Sequence, residues 1–205
     1  KEYEEFCKFL EAACGIVLGD KKHYLITSRL NHISVESGLG SLAAVVAHLK
    51  ENPNSPLRGR IVDAMTTNET LWFRDNYPYE ILKEKILLEL AKKNRPIRIW
   101  SAACSSGQEP YSISMVVQDL LQSRPGCLPH GVQIIATDIS PTILEEARNA
   151  AYDGLSLTRG LTIERRNRYF DDLGNQRWQV KPEVRRRVTF QEFNLQKSYM
   201  PLGRF

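Results

Sequence analysis

The sequence holds little of what metal, disulfide or membrane chemistry requires. Its four cysteines (Cys7, Cys14, Cys104 and Cys127) form no CxxC pair, and its four histidines have no ligand spacing. Reduced thiols and no metal are therefore expected. No apolar run approaches the roughly 18–20 residues of a membrane span. The opening KEYEEFCKFLEAACG is acidic-leaning and amphipathic, unlike a leader. Membrane insertion is thus not expected, and a cytoplasmic location is. Charge of one sign is scarce as well: 28 Lys and Arg against 24 Asp and Glu leave +4, too weak a balance to imply nucleic acid. What remains is a globular composition, 42% hydrophobic and 25% charged over 205 residues, enough for one large domain or two small ones.

The most informative stretch is Ile97–Ser112, IRIWSAACSSGQEPYS. A short apolar strand (Ile97, Ile99, Trp100) gives way to the small residues 101–107, and a helix opens at Gln108-Glu109-Pro110. Without bulky side chains, such a loop lets another molecule lie against the backbone, and the helix start offers free N–H groups. Strand, small-residue loop and helix form the first unit of a doubly wound nucleotide fold. There is one glycine rather than the three of GxGxxG, so a dinucleotide is a poor fit. Glu109 would repel a pyrophosphate but receive a cationic amino group. An ordinary strand-to-helix connection is the plainer reading of the same residues. A second apolar strand, 132–138, ends in Asp138, where doubly wound folds put the carboxylate that takes both ribose hydroxyls. Ser140-Pro141 then starts a helix, and the alternation from 97 to 150 predicts a parallel sheet.

Residues 1–66 read as an all-helical domain. Tyr3, Phe6, Leu10 and Ala13 follow a helical period, ended by Gly15. Asp20 is a candidate cap for a second helix from Lys21 to about Ser37, with Tyr24, Leu25, Leu30 and Ile33 as its apolar contacts. Its other side lines up Lys22, Arg29 and His32 as a basic stripe, either a solvated face or a docking surface for an acidic partner. Ser41–Leu49 forms a third helix, and Ser55 caps a fourth that runs to Met65. Residues 67–77 mix Leu71, Trp72 and Phe73 with Asn68, Thr70 and Arg74, which predicts a packed linker; Arg74 is either functional or paired with a neighbouring carboxylate.

Residues 78–205 form the α/β domain, interrupted over 151–187. Leu161–Phe170 reads as a basic helix, and 171–187 as a small β-subdomain in which Arg177–Val180 and Arg185-Arg186-Arg187 make a hairpin. Val188–Phe193 returns as a third strand of the main sheet, followed by Asn194-Leu195. A fourth strand is expected next, so the sheet reads as incomplete at Phe205.

Taken together, the TTNETLWFR segment, the SAACSSGQEPYS loop, the ATDIS strand end, the RYF helix and the VTFQEFNL strand resemble the CheR-type chemotaxis receptor methyltransferases. The resemblance covers nearly the whole chain. It implies a helical domain followed by a Rossmann-like domain with a small β-subdomain. The implied activity is transfer of a methyl group from S-adenosylmethionine to glutamate side chains of chemoreceptors, forming γ-glutamyl methyl esters. The implied cofactor contacts fall on Asn68, Thr70, Arg74, Glu109, Asp138, Asn194 and Leu195. Arg74 would fork onto the methionine carboxylate, Glu109 would meet the ammonium, Asp138 the ribose hydroxyls, and Asn194-Leu195 the adenine. Arg74 acts by positioning only, with no general base assigned. The family also implies docking of cytoplasmic receptor helices on a basic helix, here Lys21, Lys22, Arg29 and His32, and leaves room for a regulatory adaptor protein. The turn from Asp171 to Val180 is shorter than in members that grip a receptor's C-terminal tail, which speaks against tail binding despite Arg177, Arg185, Arg186 and Arg187. Competing readings are a cofactor-binding signalling adaptor without turnover and a nucleic-acid methyltransferase.

Overall fold

A computed structural model describes residues 2–19 and 22–205. The chain separates into two compact units, residues 1–67 with 194–198, and residues 68–193 with 199–205.

The first unit is helical: α1 (Glu2–Cys14), α2 (His23–Glu36), α3 (Leu42–Glu51) and α4 (Pro56–Met65). Phe6 and Leu10 are fully buried on the predicted stripe of α1. In α2 the buried positions are Ile26, Leu30 and Ile33, whereas Tyr24 is 66% exposed. The helical period through Leu30 selects Ile26 at i−4, which puts Tyr24 on the outer face. The predicted cap Asp20 lies outside the described residues. Ser55 caps as expected, its Oγ accepting from Leu57 N–H (3.3 Å), and Ser41, read as the first residue of the third helix, is its cap, with Oγ accepting from Ala44 N–H (3.1 Å).

In the second unit, α5 (Tyr77–Ile81) leads through a π-helical turn (Leu82–Ile86) into α6 (Leu87–Ala91). There follow β1 (Ile97–Ala102), α7 (Gln108–Ser123), β2 (Val132–Asp138) and α8 (Pro141–Asn149), with Ser140 Oγ accepting from Ile143 N–H at 3.1 Å as the cap of α8. Next come β3 (Ala151–Asp153), α9 (Gly154–Thr158), α10 (Ile163–Tyr169), β4 (Phe170–Gly174), β5 (Arg177–Val180), α11 (Pro182–Arg185) and β6 (Val188–Glu192). The main sheet is parallel in the order β1-β2-β6. Its core includes Leu87, Met115, Val117 and Ile134, all shielded from solvent.

The predicted hairpin over 171–187 is corrected in two ways. The small sheet has three antiparallel strands in the order β3-β5-β4, the third being Ala151–Asp153. Arg185-Arg186-Arg187 form no strand, because Pro182 has no N–H for a ladder and opens the helical turn α11 instead. Residues 68–77 are packed: Trp72 is fully buried, edge-on to Tyr152 and Phe170 with ring centroids 4.9 and 5.3 Å away. Its backbone N–H donates to Arg159 O at 3.0 Å. At the next residue, Gly160, a Cβ would collide with the Trp72 carbonyl.

Candidate functional site

Pairing of Ala102 with Thr137 and of Asp138 with Glu192 brings the carboxyl ends of β1, β2 and β6 to one end of the sheet, where doubly wound folds form their crevice. Asp138, 7% exposed, ends β2 there. Ser105 N–H donates to its Oδ2 at 2.8 Å and Ser140 N–H to its Oδ1 at 3.1 Å. Each carboxylate oxygen is thus held by one backbone donor. An ionised carboxylate has roughly four acceptor positions, so capacity for a diol remains on a group that cannot rotate away.

Glu109, exposed on the first turn of α7, accepts from the buried Ser101 hydroxyl at 2.6 Å. The dipole of α7 favours a carboxylate at that end. Both acids act on Cys104 in the loop between them. Burial pushes the Cys104 thiol up to about 12, Asp138 adds to the rise, and Glu109 contributes further. Cys104 is therefore a neutral, inert packing group.

The loop owes its shape to left-handed backbone at Ala103 (φ +54°) and Ser105 (φ +50°), conformations that non-glycine residues adopt at a cost and that cluster at ligand sites. Ala102 and Ala103 are exposed, while Cys104 and Ser105 turn inward. Gly107 serves packing rather than ligand approach. A Cβ there would lie 3.1 Å from the Tyr152 hydroxyl and 3.2 Å from Ala147 Cβ, at φ +95°.

Asn68 is tied to this loop, its carbonyl accepting from Ser105 Oγ at 2.9 Å, and Thr70 is half-buried nearby in sequence. Ser105 therefore links Asn68 to Asp138. Sequence reasoning missed this residue, counting it only as small. Arg74 is placed differently. It is exposed and lines a cavity of about 790 Å³ with Asp75, Asp119, Arg165 and Arg168, a lining that includes neither Glu109 nor Asp138. Positive φ at Phe73, Asp75 and Asn76 (48°, 62° and 44°) brackets it.

Asn194 and Leu195 follow directly on Phe193, whose N–H donates to Asp138 O at 2.8 Å. They cluster with the helical unit, where the Asn194 amide donates to Ala13 O (2.8 Å) and its Oδ1 accepts from Gln196 N–H (2.9 Å). Leu195 is 42% exposed.

The members of the basic stripe are placed differently from one another. Arg29 Nη1 donates to Met65 O (2.8 Å) and Thr66 O (3.1 Å), and Nη2 to Thr67 Oγ1 (3.2 Å). Its charge is committed to the carbonyl end of α4, where the helix dipole favours a cation. His32 lies 2.9 Å from Glu36 on the same helix, and Lys22 is exposed. Lys21 lies outside the described residues. Among the described residues no group of three His, Cys, Asp or Glu is arranged to hold a metal ion, and no helix is long and apolar enough to cross a membrane.

Comparison with known families matches residues 1–66 to the CheR methyltransferase all-alpha domain and residues 68–205 to the CheR methyltransferase SAM binding domain. The chain is 52% identical to a chemotaxis protein methyltransferase of Pseudomonas putida, over 100% of this chain and 75% of that protein. It is also 52% identical to one of Vibrio cholerae (100% and 74%) and 32% identical to one of Salmonella typhimurium (99% and 69%).

Proposed function

Starting from the chain's membership of the CheR methyltransferase family, as an S-adenosylmethionine-dependent methyltransferase of chemotaxis, we propose that its acceptors are glutamate side chains on the cytoplasmic helices of chemoreceptors, converted to methyl esters. The observation that carries the reading is a pair of carboxylates about one small-residue loop, Asp138 pinned by two backbone N–H groups and Glu109 by the Ser101 hydroxyl. These two acceptors suit a zwitterionic sulfonium nucleoside. Asp138 takes the ribose hydroxyls, Glu109 the ammonium, Asn68 and Thr70 the amino-acid portion, Arg74 the methionine carboxylate, and Asn194 with Leu195 the adenine. When bound, the cofactor supplies an electrophilic methyl group on sulfur.

What the chain's own residues must do is position and dehydrate. A glutamate carboxylate has a pKa near 4.3, so it is already ionised at neutral pH, and no side chain need remove a proton. The crevice has only to hold the acceptor oxygen in line and exclude water. Fixed carboxylates serve this purpose because they need no reorganisation when charge moves. We place domain boundaries at 1–66 and 78–205, with 67–77 packed between them in sequence. Receptor docking falls, on the same reading, on the basic stripe of Lys21, Lys22, Arg29 and His32.

The test is transfer of radiolabelled methyl groups from S-adenosylmethionine to purified receptor cytoplasmic fragments, read as base-labile counts. Counts that disappear when the receptor's glutamates are replaced by alanine support the reading. Base-stable counts, or binding without transfer, overturn it.

A further inference from the structure

Residues 67–71 form neither helix nor strand, so the path of this segment is set by single hydrogen bonds. Two of them involve serine hydroxyls of the loop and helix that carry Glu109. At one end Ser105 Oγ donates to Asn68 O (2.9 Å). At the other, Phe73 N–H donates to Ser112 Oγ (3.1 Å), whose own proton goes to Gln108 O (2.6 Å) one turn earlier in α7. Both serines are buried, 6% and 0% exposed. Where water cannot take over a lost bond, removing one partner leaves the other unpaired.

The side chains on this fixed backbone are uncommitted. Asn68 and Thr70 are half-buried, and the Asn68 amide and Thr70 hydroxyl bond to none of the described residues. Free polar groups on a backbone held by buried hydroxyls are arranged as preorganised sites are, with a supporting shell behind the contacting one. Glu109 is supported in the same way, through the Ser101 hydroxyl at 2.6 Å. Asp138 differs, because its oxygens are held by the main-chain N–H groups of Ser105 and Ser140. Ser105 thus acts in two directions through two atoms. Its N–H serves Asp138 and survives replacement by alanine; its hydroxyl serves Asn68 and does not.

We propose that Ser105 is a positioning residue whose hydroxyl sets selectivity for the amino-acid end of the cofactor. With Ser112 it fixes residues 68–73 so that Asn68 and Thr70 meet the amino-acid portion of S-adenosylmethionine, while the ribose acceptor Asp138 is held independently. This assignment rests on the cofactor placement given above. It divides recognition into a nucleoside half supported by main chain and an amino-acid half supported by serine side chains, so the two halves can be separated by substitution.

The probes are S-adenosylhomocysteine, titrated calorimetrically into the whole protein, and 5′-methylthioadenosine, which keeps the adenine and ribose but has no amino-acid portion, measured by competition against it. In Ser105→Ala the Kd for S-adenosylhomocysteine should rise about tenfold, the scale of one buried hydrogen bond. That for 5′-methylthioadenosine should change by less than about twofold, whereas general loosening of the loop would weaken both alike. Ser105→Cys, which keeps a weaker donor, should fall between the parent and the alanine variant. Asn68→Ala should show the same selective loss, and adding Ser105→Ala to it should cost little more, since the hydroxyl acts through that segment. Equal weakening of both ligands in Ser105→Ala overturns the proposal, as does an unchanged Kd or full additivity with Asn68→Ala. If Asn68→Ala itself binds both ligands as the parent does, the cofactor placement falls and this assignment with it; a selective loss in Asn68→Ala without one in Ser105→Ala removes only the role of Ser105.

Discussion

Replacing Asp138 perturbs two things that its hydrogen bonds allow to be measured apart. The first is the loop. Ser105 and Ser140 are buried (6% and 1% exposed), and in Asp138→Ala their N–H groups lose the acceptors that now hold them at 2.8 and 3.1 Å. A buried donor left unpaired costs about 1–3 kcal/mol, so the pair should cost about 2–6 kcal/mol of folding stability unless water enters. The second is the ligand. Losing two hydroxyl contacts to a charged acceptor should cost about 2–4 kcal/mol of binding. At ~1.4 kcal/mol per decade, that is a rise of about 30- to 1000-fold in Kd for S-adenosylhomocysteine. Asp138→Asn separates the two effects. Its amide oxygen keeps one backbone donor while its NH₂ opposes the other, so the folding loss should fall to about one bond, roughly 1–3 kcal/mol. Hydroxyl recognition by a charged group is still lost. Urea unfolding reports the first quantity and titration calorimetry with S-adenosylhomocysteine the second. The reasoning is refuted if Asp138→Asn unfolds like the parent protein and binds as tightly.

The remaining predictions concern neighbouring residues. Gly107→Ala meets a φ of +95° and contacts of 3.1–3.2 Å, and should lose about 1–3 kcal/mol of stability by the same unfolding assay. Arg29→Ala removes the guanidinium from the carbonyl end of α4 and should lower stability by about 1–2 kcal/mol. An unchanged melting curve with a raised KM for receptor would show Arg29 acting in docking instead. The Cys104 thiol is raised from 9.0 to about 12 and the Tyr79 phenol from 10.0 to about 12. For both groups the unfolded chain ionises first, so the stability they lend is whole below about pH 9 and is lost as pH rises toward 12. Cys104→Ala should flatten the start of that decline in unfolding measured across pH 8–11, and a decline identical in the variant would assign it elsewhere.

Much of this architecture was legible because local chemistry and tertiary packing agree. Ser55 and Ser140 cap helices where their positions suggest, and the β1, β2 and β6 segments carry the apolar residues a parallel sheet needs. Where the two disagree, the sequence misleads. Arg29 looks like one charge of a surface stripe, yet its partners are carbonyls some distance along the chain at Met65 and Thr66, which no periodicity reveals. Ala151–Asp153 is too short to signal a strand and becomes one only by pairing Tyr152 with Trp178. Ser105 gave no signal beyond its size, because its role lies in a backbone N–H and a hydroxyl that bridge Asn68 and Asp138.

The two carboxylates of the site show why residue type alone underdetermines function. Asp138 is enclosed and has both oxygens fixed by main-chain donors, so it is a rigid acceptor whose geometry is set before any ligand arrives. Glu109 is exposed and held through a single hydroxyl on the first turn of α7, so it is free to meet a cation. Arg74 stands in contrast, bracketed by left-handed residues at Phe73 and Asp75 and turned to a cavity with Asp119, Arg165 and Arg168. A change of backbone angles in the 73–76 turn would redirect the Arg74 guanidinium. Relief of three positive-φ residues, each costing of order 1–3 kcal/mol, would favour that change. Proline in place of Asp75 would forbid the present φ of +62° and should therefore alter cofactor affinity without touching Asp138 or Glu109.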